Sequence, residues 1–190
     1  MHIFLARHGE TRWSRSGQHT GTTDLPLTEE GKRQAEALAR RLAGETFDLV
    51  LSSPAARAVA TAEAAGFPFE VDEDLRELDY GEYEGLTTVQ VRGRVPYWDL
   101  WGDGCPGGET VAEGGGRCDA VLQRLVEAAV TRVLLFGHSH TFRILTARYL
   151  GLDAAMGRLF KLDTATLSEL GEYHARPVVL RWNSAEHLST

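Results

Sequence analysis

"FDLVLSSPAARAVATAEAAG", residues 47–66, sets the architecture. FDLVLSS is a short apolar run of strand length, a serine and a proline follow, and the alanine-rich remainder stops at Gly66. Ser53 suits an N-cap, where a side-chain oxygen takes an orphan N–H, and Pro54 suits the first helical position, where no N–H is needed. A strand passing directly into a helix is expected here.

The same passage recurs on both sides. Residues 2–6 read as a short buried strand. The later TEEGKRQAEALARRLAG reads as a helix with Thr28 as N-cap, Glu29 and Glu30 in its first turn, an apolar stripe of Ala35, Leu38, Ala39 and Leu42, and Gly44 past its end. TRVLLFG is the most apolar strand, and SHTFRILTARYLG after it closes as a helix at Gly151. This alternation predicts an α/β fold, a mostly parallel sheet with helices on both faces, in which ligands sit beyond the carboxyl ends of the strands. TATLSELGEY and RPVVLRWN read as two strands joined by a turn, added at one end of the sheet.

The chain has 190 residues, 43% hydrophobic and 25% charged, which fits a single domain spanning 1–190 with an ordinary core. Between its halves lies a glycine-rich excursion at about 86–116, expected as loop with a short helix. Gly114, Gly115 and Gly116 each cost about 1 kcal/mol relative to alanine inside a helix, so a break or a late start is expected in the helix over Thr110–Ala129. No apolar run approaches the ~20 residues that span a bilayer, and the N-terminal residues lack the pattern of a secretory signal, so a cytoplasmic protein without membrane partners is expected. Cys105 and Cys118 are too few for a disulfide framework and lack CxxC spacing; both are expected as reduced thiols. A net charge of −7 argues against nucleic acid as a partner. It leaves room for a few cations gathered around a small anion.

Four residues supply such a cluster. Arg7 and His8 follow the first strand, Arg57 falls in the first turn of the helix after VLSS, and His138 follows VLLFG, so all four come to the same sheet edge. Helix N-termini there add N–H groups that favour an anion, and the edge reads as a phosphate pocket. Taken singly, a buried structural histidine or a solvated helix arginine explains each residue. Together they point to a site.

RHGET (7–11), SSPAARAVATA (52–62), LRELDYGEYEG (75–85) and FGHSH (136–140) resemble, in order and through nearly the whole chain, the motifs of the histidine phosphatase superfamily, which includes the cofactor-dependent phosphoglycerate mutases. The resemblance implies a three-layer α/β/α sandwich of the phosphoglycerate mutase-like kind. It makes His8 the nucleophile that forms a phosphohistidine, Arg7, Arg57 and a protonated His138 the groups that hold the phosphoryl oxygens, and Glu77 the general acid and later base. It further implies that Ser14, Thr20 and Gly21 line the phosphate entrance, that Ser139 offers an N–H or hydroxyl beside His138, and that Gln18 and His19 lie at the rim. No metal or other cofactor is expected. A small phosphorylated metabolite is the expected partner, and a homodimer stays open.

Within that superfamily, phosphoglycerate mutases carry an asparagine where this chain has Ser14, a lysine where it has Thr88, and paired arginines where it has YWDLWGDG. WSRSGQHTGTTDLPLT and WDLWGDGCPGGET look closer to the acid phosphatase and sedoheptulose-bisphosphatase-like branch, so hydrolysis of phosphate monoesters is the expected reaction. Tyr97, Trp98 and Trp101 either wall the cleft or pack the excursion onto the body. Arg12, Arg15, Arg92 and Arg94 either meet a second phosphate or are simply solvated. Three other readings stay open: mutase chemistry in the same fold, a non-catalytic phosphate-binding module, and a metal hydrolase built on His138 and His140 with His8 and His19, for which no carboxylate or cysteine pattern of familiar ligand spacing is found.

Overall fold

A computed structural model describes residues 1–189. β1 (His2–Arg7) leads into a short helix α1 (Arg12–Ser16) and then α2 (Glu29–Leu42), β2 (Leu49–Ser52), α3 (Ala56–Ala65) and a two-residue β3 (Glu70–Val71). α4 (Thr88–Arg94) and α5 (Leu100–Asp103) lie in the excursion, followed by α6 (Val111–Glu127), β4 (Arg132–Gly137), α7 (Ser139–Tyr149) and the hairpin of β5 (Leu167–Tyr173) and β6 (Arg176–Ser184). All the strands join one six-stranded sheet in the order β3-β2-β4-β1-β5-β6. β1, β2, β3 and β4 run parallel, while β5 is antiparallel to both β1 and β6. The sheet is mixed but mostly parallel, with the hairpin at one end.

Strand side chains alternate between two cores, as a period of two requires. Ile3, Leu5, Val133 and Leu135 face one way, onto Val121 and Leu125 of α6 and Phe142 and Leu145 of α7. Phe4, Ala6, Leu134 and Phe136 face the other, onto Leu38 and Leu42 of α2 and Ala62 of α3. Each large side chain so buried contributes about 1.5–3 kcal/mol, which makes the layering the main source of stability. Among the described residues no helix is long and apolar enough to cross a membrane.

Register positions the site. Arg7 pairs with Gly137 and Ser52 with Phe136, so β1, β4 and β2 end at nearly the same level. The next residues, His8, His138 and Ser53, leave the sheet side by side.

Two local expectations are corrected. α3 starts at Ala56 with Ala55, which has no side-chain oxygen, as its N-cap; Ser53 stands two residues before it, its hydroxyl 2.7 Å from His138 Nε2 and accepting from the Ala55 N–H at 3.3 Å. α6 runs unbroken from Val111 through Gly114, Gly115 and Gly116, opened by a capping box between Thr110 and Glu113. Gly114 and Gly115 serve packing: a Cβ on Gly114 would stand 2.5 Å from Leu78 Cδ2, and one on Gly115 2.9 Å from Ala154 Cβ. Close approach of the helix to its neighbours outweighs the propensity cost, and the irregular excursion ends by Thr110.

Candidate active site

His8 sits just past β1 and is only 5% exposed. Its backbone N–H donates to the Gly137 carbonyl and its own carbonyl accepts from Ala165, so the residue is clamped between β4 and the segment before β5. Gly9 follows because α2 passes directly over it: a Cβ there would run into the Gly31 carbonyl. The ring's Nδ1 lies 2.7 Å from the Gly9 carbonyl oxygen, an atom that can only accept, so Nδ1 carries the proton and Nε2 keeps its lone pair. Burial, then the charges of Arg7 and Arg57, hold the imidazole pKa well below its usual value. His8 is thus a neutral ring whose Nε2 is unprotonated.

Arg57, in the first turn of α3, is 1% exposed. Its Nε donates to His138 Nδ1 at 3.2 Å, Nη1 to the Thr23 carbonyl at 3.2 Å, and Nη2 to the carbonyls of Thr20 and Gly21 at 3.1 and 3.3 Å. Because His138 Nδ1 accepts from Arg57, its ring proton sits on Nε2, which donates to the Ser53 hydroxyl. The protonated His138 expected above is therefore not the state found here. Burial, followed by the charge of Arg57, pushes its pKa well down. Arg7 donates from Nη1 to the Leu162 carbonyl at 2.5 Å, while its buried Nε has no protein partner.

Glu77 is 7% exposed rather than a surface residue. Oε1 accepts from the Leu78 and Thr141 N–H groups and the Thr141 hydroxyl at 3.1, 2.9 and 3.0 Å, and Oε2 accepts from the His140 N–H at 3.0 Å. The carboxylate thereby takes two of the orphan donors at the N-terminus of α7. Burial alone would raise its pKa, but the adjacent His140 and the three backbone N–H groups outweigh that and hold it below the ordinary value. Burial also pushes His140 down to about 3, so near neutrality the N–H groups are the lasting cause.

Arg7, His8, Glu77 and Ser139 border a cavity of about 180 Å³ together with the turn over residues 14–20, whereas Arg57 and the fully buried His138 lie behind it and do not line it. Of the expected entrance residues, Ser14 and Thr20 line it; the Ser14 hydroxyl is tied to the Thr11 carbonyl at 3.0 Å. Gly21 does not line it. Its N–H donates to both Glu84 oxygens, at 3.0 and 2.9 Å, and the residue borders a larger neighbouring hollow of about 930 Å³ that also reaches Arg57 and Glu77. Gln18 and His19 lie on the small cavity, beside Tyr80 and His140. Sequence reasoning gave Ser53 only a capping role and gave none to Tyr80 or Glu84; the aromatic DYGEYEG stretch two residues after Glu77 was the available signal for the last two.

The excursion aromatics divide. Trp98 is 3% exposed, donates from Nε1 to the Gly104 carbonyl and packs edge-on against Tyr83, fastening the excursion to the body. Trp101 packs on Gly157 beneath the Arg143 guanidinium, and Tyr97 is 95% exposed. Arg15 faces Glu10 at 3.3 Å and Arg92 donates to the Trp98 carbonyl at 2.8 Å; neither lines the cavity. His138 and His140 turn to different partners, and among the described residues no group of three or more His, Cys, Asp or Glu side chains is arranged to hold a metal ion.

Comparison with known proteins places this geometry. Residues 3–185 match the family model of the histidine phosphatase superfamily (branch 1). An acid phosphatase of Mycobacterium tuberculosis is 42% identical over 177 residues, covering 90% of this chain and 87% of its own. A sedoheptulose 1,7-bisphosphatase of Saccharomyces cerevisiae is 34% identical over 181 residues, covering 78% and 67%. A solved structure of an open reading frame product from Mycobacterium tuberculosis superposes with a TM-score of 0.91 at 37% identity, over 96% of both chains. With its sheet order, the residues at its strand ends and these relatives in agreement, the chain belongs to branch 1 of the histidine phosphatase superfamily.

Proposed function

We propose that this protein hydrolyses phosphate monoesters of small metabolites through a phosphohistidine on His8 Nε2. The observation that carries the reading is the tautomer: the Gly9 carbonyl takes the Nδ1 proton and leaves an unprotonated nitrogen on a cavity bordered by arginine. In the first step the Nε2 lone pair attacks phosphorus, the P–O bond to the leaving group breaks, and Glu77 in its protonated form gives that oxygen a proton. In the second, the Glu77 carboxylate takes a proton from water, the water oxygen attacks phosphorus, and the N–P bond breaks to release inorganic phosphate and neutral His8. Arg7 and Arg57 offset charge on the nonbridging oxygens throughout. Glu77 is ionised in the empty site, and a bound phosphate dianion raises its pKa, as it raises that of His138; substrate thus brings its own acid into the required state.

Mycobacterial acid phosphatase and yeast sedoheptulose bisphosphatase, as relatives, support hydrolysis of a small phosphorylated metabolite. The unpaired Cys105 and Cys118 suit a reducing compartment, and we place the enzyme in the cytoplasm. The test uses ³²P-labelled p-nitrophenyl phosphate quenched in alkali, where an N–P bond survives. Label on His8, and a fall in kcat of about a thousandfold or more in His8→Ala, are expected. Unlabelled protein with undiminished turnover in that variant overturns the reading. Incubation with 3-phosphoglycerate is expected to yield inorganic phosphate or nothing, and formation of 2-phosphoglycerate would show a mutase instead.

A further inference from the structure

Besides Arg7, His8 and Glu77, the cavity is lined by Gln18, His19, Tyr80 and His140. His19 stacks on Tyr80 with ring centroids 4.8 Å apart, and the Tyr80 hydroxyl lies 2.6 Å from His140 Nδ1. Tyr80 is 2% exposed, and its hydroxyl has no other hydrogen-bond partner among the described residues. A buried hydroxyl must place its proton, and Nδ1 is the acceptor in reach. The ring proton of His140 therefore sits on Nε2, which makes no hydrogen bond to protein on a residue that lines the cavity. The same residue touches the proton source: the His140 backbone N–H holds Glu77 Oε2, and its ring lies 3.9 Å from that oxygen.

We propose that His140 is a specificity-determining residue whose Nε2–H donates to a hydroxyl oxygen of the leaving group, so that the site prefers phosphate esters of polyols to those of simple alcohols. The proposal rests on the hydrolase reading and names its substrate class. Tyr80 is the positioning residue: it fixes which His140 nitrogen is the donor. Because burial keeps His140 uncharged near neutrality, the donor is a neutral N–H, matched to a neutral hydroxyl. When the ester lacks that hydroxyl, the N–H is covered by the bound substrate without a partner, which is how a polar site rejects an apolar analogue.

The experiment compares kcat/KM for glycerol 1-phosphate and propyl phosphate; the ratio divides out any loss of chemistry common to both. In the unaltered enzyme the glycerol ester is expected to be favoured by about tenfold or more. In His140→Phe the ratio is expected to fall close to one, and His140→Gln, which keeps an N–H donor, is expected to retain part of it. Tyr80→Phe keeps the ring but frees the tautomer, and KM for the glycerol ester is expected to rise more than kcat falls. A ratio near one in the unaltered enzyme, or an unchanged ratio in His140→Phe, overturns the proposal while leaving hydrolysis standing. Release of phosphate from neither ester, with no label on His8, overturns both.

Discussion

On the proposed mechanism, the perturbed side chains of His8 and Glu77 set opposite limbs of the pH response. His8 is held neutral by burial and by Arg7 and Arg57, so acidification from neutrality does not remove the nucleophile. Glu77 must be protonated to serve as acid, and the N–H groups of α7 favour its anion, so activity on an ester with a poor leaving group is expected to fall as pH rises through the carboxyl's pKa in the complex. Glu77→Gln is expected to abolish that alkaline fall and to lower kcat/KM for propyl phosphate, which reports the transfer to His8 and not the later hydrolysis, by about a hundred- to ten-thousandfold. The loss for p-nitrophenyl phosphate should be smaller, since its leaving group needs no proton. A pH–rate series on both esters checks this, and equal losses for the two would count against Glu77 as acid. His8, Arg57 and His138 were legible because each stands in a short motif at the end of a strand or the start of a helix, and Glu77, in irregular chain, only through the resemblance of LRELDYG to the family motif. Ser53, Tyr80 and Glu84 were not, because their bonds go to His138, His140 and the Gly21 N–H, at least sixty residues away in the chain.

The same distinction holds for elements. β1, α2, β2, β4, α7 and the terminal hairpin could be read from apolar period and caps alone, since those signals are local. The triple glycine in α6 could not, because helix propensity describes a solvated helix and says nothing of Leu78 and Ala154 pressing on its surface. Those glycines separate the two effects experimentally. Gly116→Ala adds a Cβ that meets nothing within 4 Å and is expected to stabilise the protein by about 1 kcal/mol. Gly114→Ala gains the same propensity but drives its methyl into Leu78, and a net loss of about 1–3 kcal/mol is expected. Urea denaturation of the two variants measures the difference, and a Gly114→Ala protein as stable as Gly116→Ala would refute the packing account.

For the molecule as a whole, His8, His138 and His140 are buried in the uncharged form, with pKa values lowered chiefly by desolvation. The unfolded chain takes up their protons near pH 6.5 while the folded chain does not, so stability is full above that pH and falls as pH drops towards the folded values. Each histidine adds a slope of up to about 1.4 kcal/mol per pH unit, in the same direction. The urea midpoint is therefore expected to decline steadily between pH 6.5 and 4.5, and a flat or rising midpoint over that range would contradict the buried neutral states. The level ending of β1, β2 and β4 has a further consequence. Spacing between the groups rooted there follows from the roughly 4.8 Å interval between neighbouring strands, not from any loop. Evolution can therefore recast the span between Leu86 and Thr110, which contributes nothing to the small cavity, while the floor of the site keeps its dimensions.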